Sequence, residues 1–123
     1  MKRVLFLLLL LTSCYSVDRS CVDFKTGVFE FSTSINDSIV TSTFTRTDKY
    51  EIETFNGVKD SSIIKWVNEC EFLLTKIRPK TNQEKRPIRI KILRTYGDQY
   101  DFEFSAVNNP YKISRGTVIK VSE

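Results

Sequence analysis

From Asp23 onward the apolar residues follow a pattern of period two within successive short runs, and no amphipathic helix emerges. Alternation of this kind is the signature of strands with one face buried and one face wet, because successive side chains of a strand point to opposite sides. Ile88, Ile90 and Ile92 alternate with Arg89 and Lys91, and Tyr100, Phe102, Phe104 and Ala106 alternate with Asp101, Glu103 and Ser105. Tyr96-Gly97-Asp98 between these two runs reads as a tight turn, and Asn56-Gly57 between Phe55 and Val58 is the strongest hairpin signal in the chain. Further turns are read at Asp48-Lys49, Asn68-Glu69 and Asn108-Asn109-Pro110. The strands so delimited lie near 24–33, 38–46, 49–55, 60–68, 70–77, 87–95, 99–107 and 112–121.

Eight strands on short connections form an antiparallel up-and-down meander, and a meander of that length most economically closes on itself, since closure removes exposed edges. The expected fold is all-β, a small barrel over residues 21–123, with an open or flattened β-sandwich of the same strands as the alternative. Ile90, Phe102 and Phe104 are expected inside, and Arg89, Lys91, Asp101 and Glu103 outside. That outer face excludes a barrel embedded in the outer membrane, because charged side chains facing lipid cost several kcal/mol in sum.

The first residues obey a different logic. Lys2 and Arg3 precede an unbroken apolar run from Val4 to Leu11, and Thr12-Ser13 then leads to Cys14, which is the build of a signal peptide over residues 1–13. Eight apolar residues make a helix of about 12 Å, short of the roughly 30 Å of a bilayer core, so a permanent span is disfavoured. Leu11-Thr12-Ser13-Cys14 resembles the bacterial lipobox, which implies cleavage before Cys14 and acylation of that residue; the alternative is an ordinary signal peptide with a chance cysteine. Residues 14–20 then form a lipidated anchor and tether, and the six residues after Cys14 reach at most about 20 Å. Tyr15 stands where aspartate would be the inner-membrane retention signal of enterobacterial lipoproteins, so that resemblance implies the outer membrane. With one acid and one base among Tyr15 to Ser20, no acidic surface-export signal is present, and the periplasmic leaflet is the expected address.

Loss of the signal leaves 17 basic and 15 acidic residues, a charge of +2, too small for a nucleic-acid footprint. The basic connection from Arg78 to Arg86, carrying Arg78, Lys80, Lys85 and Arg86 and flanked by Pro79 and Pro87, reads as an exposed loop, with contact to anionic head groups or an acidic partner as its sharper use. It holds no aromatic side chain for base stacking. The chain has no His, which removes a Ser-His-Asp triad, a Cys-His pair and the usual zinc sites. Glu51 with Glu53, and Glu69 with Glu71, are neighbours along one strand face, but nothing assembles a nucleophile or metal beside them. They read as solvated faces balanced by Lys and Arg, and no catalytic residue, cofactor or metal ligand is assigned. With Cys14 acylated, Cys21 and Cys70 remain in an oxidising compartment, at the starts of strands one and five, which share one end of the meander. A disulfide between them is expected, with two buried thiols as the alternative.

Thr26-Gly27-Val28-Phe29-Glu30-Phe31, together with Ile64-Lys65-Trp66-Val67-Asn68-Glu69-Cys70-Glu71-Phe72, resembles small lipoproteins of Flavobacteria and related Bacteroidetes. The likeness extends to Arg46 at the end of the second strand and to Glu51 and Glu53 on the third, and it brings no activity with it. Gly27 and Phe29 also resemble the opening glycine-any-tryptophan motif of lipocalins. That resemblance implies an arginine from a late strand packed across the aromatic ring, a part open to Arg115, which otherwise reads as a surface residue. The expected role is non-catalytic binding at the cell envelope: a lipocalin-like carrier of a small apolar ligand, with Phe44, Trp66, Phe72, Phe102 and Phe104 as pocket candidates. The alternative is a protein-binding envelope module, an inhibitor or assembly accessory, with those aromatics packed solid.

Overall fold

The computed structural model describes residues 19–123, so the signal segment and the acylation expected at Cys14 lie outside the described residues. Eight antiparallel strands follow one another, each paired with its neighbours in sequence, and the eighth returns to the first to close a barrel: β1 Gly27–Ile35, β2 Ser38–Arg46, β3 Tyr50–Phe55, β4 Val58–Asn68, β5 Glu71–Lys76, β6 Ile88–Tyr96, β7 Gln99–Ala106 and β8 Asn109–Ser122. Closure rules out the open sandwich.

Turn chemistry sets the hairpins. Asn56 and Gly57 both have positive φ (48° and 76°), and so do Asn36 and Asp37 (50° and 63°), the two-residue geometry whose twist matches the flanking strands. Asn and Asp tolerate that region at low cost, which is why the β1–β2 turn forms without glycine. The last turn falls at Val107-Asn108, earlier than expected, and β8 is correspondingly longer, with Pro110 near its start.

Residues 21–24, expected at the threshold of the first strand, instead form a 3-10 turn. Cys21 is bonded to Cys70 in the β4–β5 turn, with Cα atoms 5.3 Å apart, so the chain is pinned at the barrel's end before β1 begins. Phe24 then drops into that end as a plug, 3% exposed, with its ring against Tyr100 (5.2 Å) and Phe29 (6.5 Å).

Register places Ile90 opposite Phe104 and Ile92 opposite Phe102, and Lys91 opposite Glu103, so the facing expected for β6 and β7 holds. Following the pairing around the barrel, the inward rows carry Phe29 and Phe44, then Glu51 and Ser62, then Ile64 and Leu74, then Phe72 and Ile90. The packed core, with Phe29, Phe44, Ile92, Tyr100, Phe102 and Val118, gathers at the plugged end. The wall is not paired evenly. Pairing of β1 with β8 ends at Phe31 and Val118, and that of β2 with β3 at Thr43 and Thr54, so the outer half of the β1–β2 hairpin, from Ser32 to Thr41, pairs only with itself.

Candidate functional site

The barrel has a filled end and a hollow end, and one buried arginine lies between them. Arg46 shares the inward parity of Ser42 and Phe44 and is only 2% exposed. Its guanidinium donates to the Phe24 carbonyl (2.7 Å), the Tyr100 hydroxyl (3.0 Å) and Glu51 Oε2 (3.3 Å), and it lies 4.7 Å from the Phe29 ring centre and 4.6 Å from that of Phe72. An unpaired charge here would be prohibitive; Glu51 and the two oxygen acceptors make it tenable. Burial alone would lower the Arg46 pKa, but Tyr100 and Glu51 outweigh it and the group is raised above its ordinary value. Burial pushes the Glu51 carboxyl and the Tyr100 hydroxyl up, against the pull of Arg46.

This arrangement departs from the late-strand arginine that the lipocalin resemblance implies, keeps Arg115 as the surface residue it otherwise reads as, and corrects the expectation for Glu51 and Glu53. The arginine packed across the opening aromatic is Arg46 of β2; Arg115 has 74% of its side chain exposed and faces Glu103 at 3.8 Å. Glu51 and Glu53 are not on the outer face, because cross-strand pairing with Arg46 and Phe44 turns both toward the lumen, where Glu51 is partly buried and Glu53 stays exposed at the mouth. The opening glycine has its own reason: Gly27 sits at φ 132°, and a Cβ there would come within 2.8 Å of the Ser122 carbonyl oxygen.

At the opposite end lies a cavity of about 740 Å³. Leu74, Ile88, Phe104 and Ala106 form an apolar wall across β5, β6 and β7, while Glu51, Glu53, Asp60 and Ser62 of β3 and β4 form a polar one. Between the two walls Lys76 reaches Asp60 and Glu84, each at 2.9 Å. Hydrogen bonds donated to both partners raise the Lys76 pKa, and the Lys76 contact holds Glu84 below the usual carboxylate range. Glu84 also accepts from the Lys80 amide (2.6 Å), and its own amide donates to Thr81 (3.1 Å), so the β5–β6 connection is gathered around the one acid in its basic stretch and fastened to the lumen through it.

Of the aromatic candidates, Phe104 alone lines the cavity. Phe44, Phe72 and Phe102 are buried at the filled end, and Trp66 packs on Phe72 (4.6 Å) with the Lys25 ammonium 5.3 Å from its ring centre. They build the floor instead of the pocket, because the plug and Arg46 consume the aromatic half of the lumen. The basic connection is likewise divided: Arg86 lines the cavity mouth, Arg78 and Lys80 line a second groove with Lys59 and Ile77, and Lys85 is exposed on neither. Glu71, expected on a solvated face, is 7% exposed and bound by Arg89 and Asn68, whereas Glu69 stands exposed in the turn.

Among the described residues no group of three or more Cys, Asp or Glu is placed to hold a metal ion. What the site offers is an enclosure with one apolar wall, one acidic wall and a basic mouth, at the pole opposite the disulfide. No protein-family model, no curated protein and no solved structure matches the chain.

Proposed function

We propose that this chain is an exported bacterial lipoprotein, held through Cys14 in the outer membrane on its periplasmic side, whose barrel binds a small ligand without transforming it. The observation that carries the reading is the cavity of about 740 Å³ at the hollow end, a volume within the roughly 300–1,000 Å³ of small-molecule sites. A barrel of this length that served only as a scaffold has no need of a half-empty lumen lined by Leu74, Ile88, Phe104 and Ala106. The lipobox and the resemblance to small Bacteroidetes lipoproteins support the address. The apolar wall suits the body of a mainly apolar ligand.

Native mass spectrometry of the protein purified from its own envelope tests this. The expected spectrum carries an added small-molecule mass that disappears in an Ala106→Trp variant, whose indole fills the lumen. A spectrum without added mass, unchanged after incubation with a small-molecule extract of the same envelope, refutes the carrier.

One observation favours a protein-binding role instead: the self-paired ribbon Ser32–Thr41, with Ile39 80% exposed near its tip, offers strand edges and an apolar point of contact. A photo-crosslinking residue at position 39 separates the two roles, since a carrier acting alone gives no protein adduct in cells.

A further inference from the structure

The charges around the cavity are balanced in number and separated in space. Lys76 stands against two carboxylates, Asp60 and Glu84, and Glu51 is answered by Arg46. Glu53, on the same side, has no cationic partner among the described residues, so the β3–β4 wall carries an excess of negative charge. Arg86 and Lys112, at the mouth on the β6 and β8 side, have no acidic partner among the described residues. In a closed ring of eight strands, β3 and β4 lie across the lumen from β7 and β8, so Lys112 faces the acidic wall from the far side while Arg86, ahead of β6, stands at its flank. The apolar wall of Leu74, Ile88 and Phe104 runs between the two poles.

A field of this form favours neither a simple anion nor a simple cation, because each gains from one pole and loses at the other. It favours a ligand that carries both charges, held apart, on an apolar body. We infer that the cavity takes a short zwitterionic peptide with apolar side chains, its ammonium toward Glu53 and its carboxylate toward Arg86 and Lys112. This deepens the carrier reading and rests on it. The dimensions agree: eight tilted strands about 4.8 Å apart make a ring of roughly 16 Å backbone diameter, and an extended tripeptide separates its termini by about 10 Å. The expectation of an apolar ligand accounts for one wall of the cavity; the peptide accounts for all of them.

The test is calorimetric titration of the purified, disulfide-bonded chain with trileucine, N-acetyl-trileucine and trileucine amide, alongside the neutral apolar probe N-phenyl-1-naphthylamine read by fluorescence. Trileucine is expected to bind, and each cap to weaken it by roughly tenfold or more, the loss of a hydrogen bond to a charged group. Glu53→Gln should remove the penalty of the N-acetyl cap and leave that of the amide, and the pair Arg86→Gln and Lys112→Gln should do the reverse. Capped and free peptides binding alike, or a Glu53→Gln variant with the full acetyl penalty, overturns the inference. Naphthylamine binding that Ala106→Trp abolishes, with no trileucine binding up to millimolar concentration, overturns the peptide and leaves the carrier standing. If neither probe binds, both fall.

Discussion

Replacing Arg46 by Met tests the ionic floor of the barrel most directly. The methionine keeps most of the side-chain volume among Phe29, Phe44 and Phe72, so packing changes little, while three buried acceptors lose their donor at once: the Phe24 carbonyl, the Tyr100 hydroxyl and Glu51 Oε2. Removing one member of a buried ion pair costs about 3–5 kcal/mol, chiefly because the other charge is left without compensation. That is a large part of the roughly 5–15 kcal/mol that holds a domain of this size. Glu51→Gln strands the guanidinium charge in turn, a loss eased but not removed because the amide oxygen can still accept from Nε. The informative quantity is the double variant Arg46→Met with Glu51→Gln, in which no charge is stranded; its loss should fall short of the sum of the single losses by about 1.5–3 kcal/mol. Urea unfolding of the four proteins, disulfide intact, gives all terms of the cycle. Additivity to within about 0.5 kcal/mol, or a loss below about 1 kcal/mol for Arg46→Met, would show that the guanidinium is not bonded in the floor.

The facing of β7 predicts that Phe102→Ala, at a ring 7% exposed, destabilises by about 3–5 kcal/mol, and that Glu103→Ala, whose weak contact is with an exposed Arg115, changes stability by no more than about 0.5 kcal/mol in the same melts. Joint replacement of Cys21 and Cys70 by Ser should remove about 4 kcal/mol on chain-entropy grounds for a separation of 49 residues; alkylation of the unfolded, unreduced wild type should find neither thiol free. Glu71 is held below the usual carboxylate range chiefly by its hydrogen bond from Arg89, so its stabilising contribution is complete above about pH 4.3, the unfolded value, and is lost as pH falls through the lower folded value. A Glu71→Gln variant should therefore show a flatter stability profile on acidification, and an unchanged slope would contradict the pairing.

Parity made most of this fold legible. Once Ile90 and Phe104 are assigned inward, strand pairing carries the facing around the sheet, and all eight expected strand starts fall within a few residues of those observed. Parity also held an unused signal. Phe44 and Arg46 are two apart on one strand, so an inward Phe44 forces an inward Arg46, and an antiparallel β3 then sets Glu51 opposite it. Reading charge as exposure overrode that arithmetic. The 3-10 plug was not legible in the same way, because alternation of Cys21, Asp23 and the neighbouring apolar residues resembles a strand, and only the disulfide and the shape of the barrel end decide otherwise. The cavity's ionic lining depends on which half of the lumen the plug fills, a three-dimensional fact with no one-dimensional pattern.

The position of the plug also decides what the basic connection can reach. Chain entry is fixed at the filled pole, where the Ser20 amide donates to Thr95 (2.7 Å) and Cys21 is bonded to Cys70, whereas Arg86 and the cavity mouth belong to the other pole. Strands of six to fourteen residues rise about 3.3 Å per residue, and tilting by about 35–45° leaves a barrel of the order of 20 Å along its axis. If Cys14 anchors the chain as proposed, through a tether of at most about 20 Å, a barrel standing on its plugged end would carry Arg78, Lys80, Lys85 and Arg86 away from the leaflet that holds it. Contact of that loop with its own membrane's head groups would require the barrel to lie on its side or invert. In that proposed arrangement the open mouth would face the aqueous space, where a small zwitterion would be met, and the aromatic floor would lie between such a ligand and the bilayer.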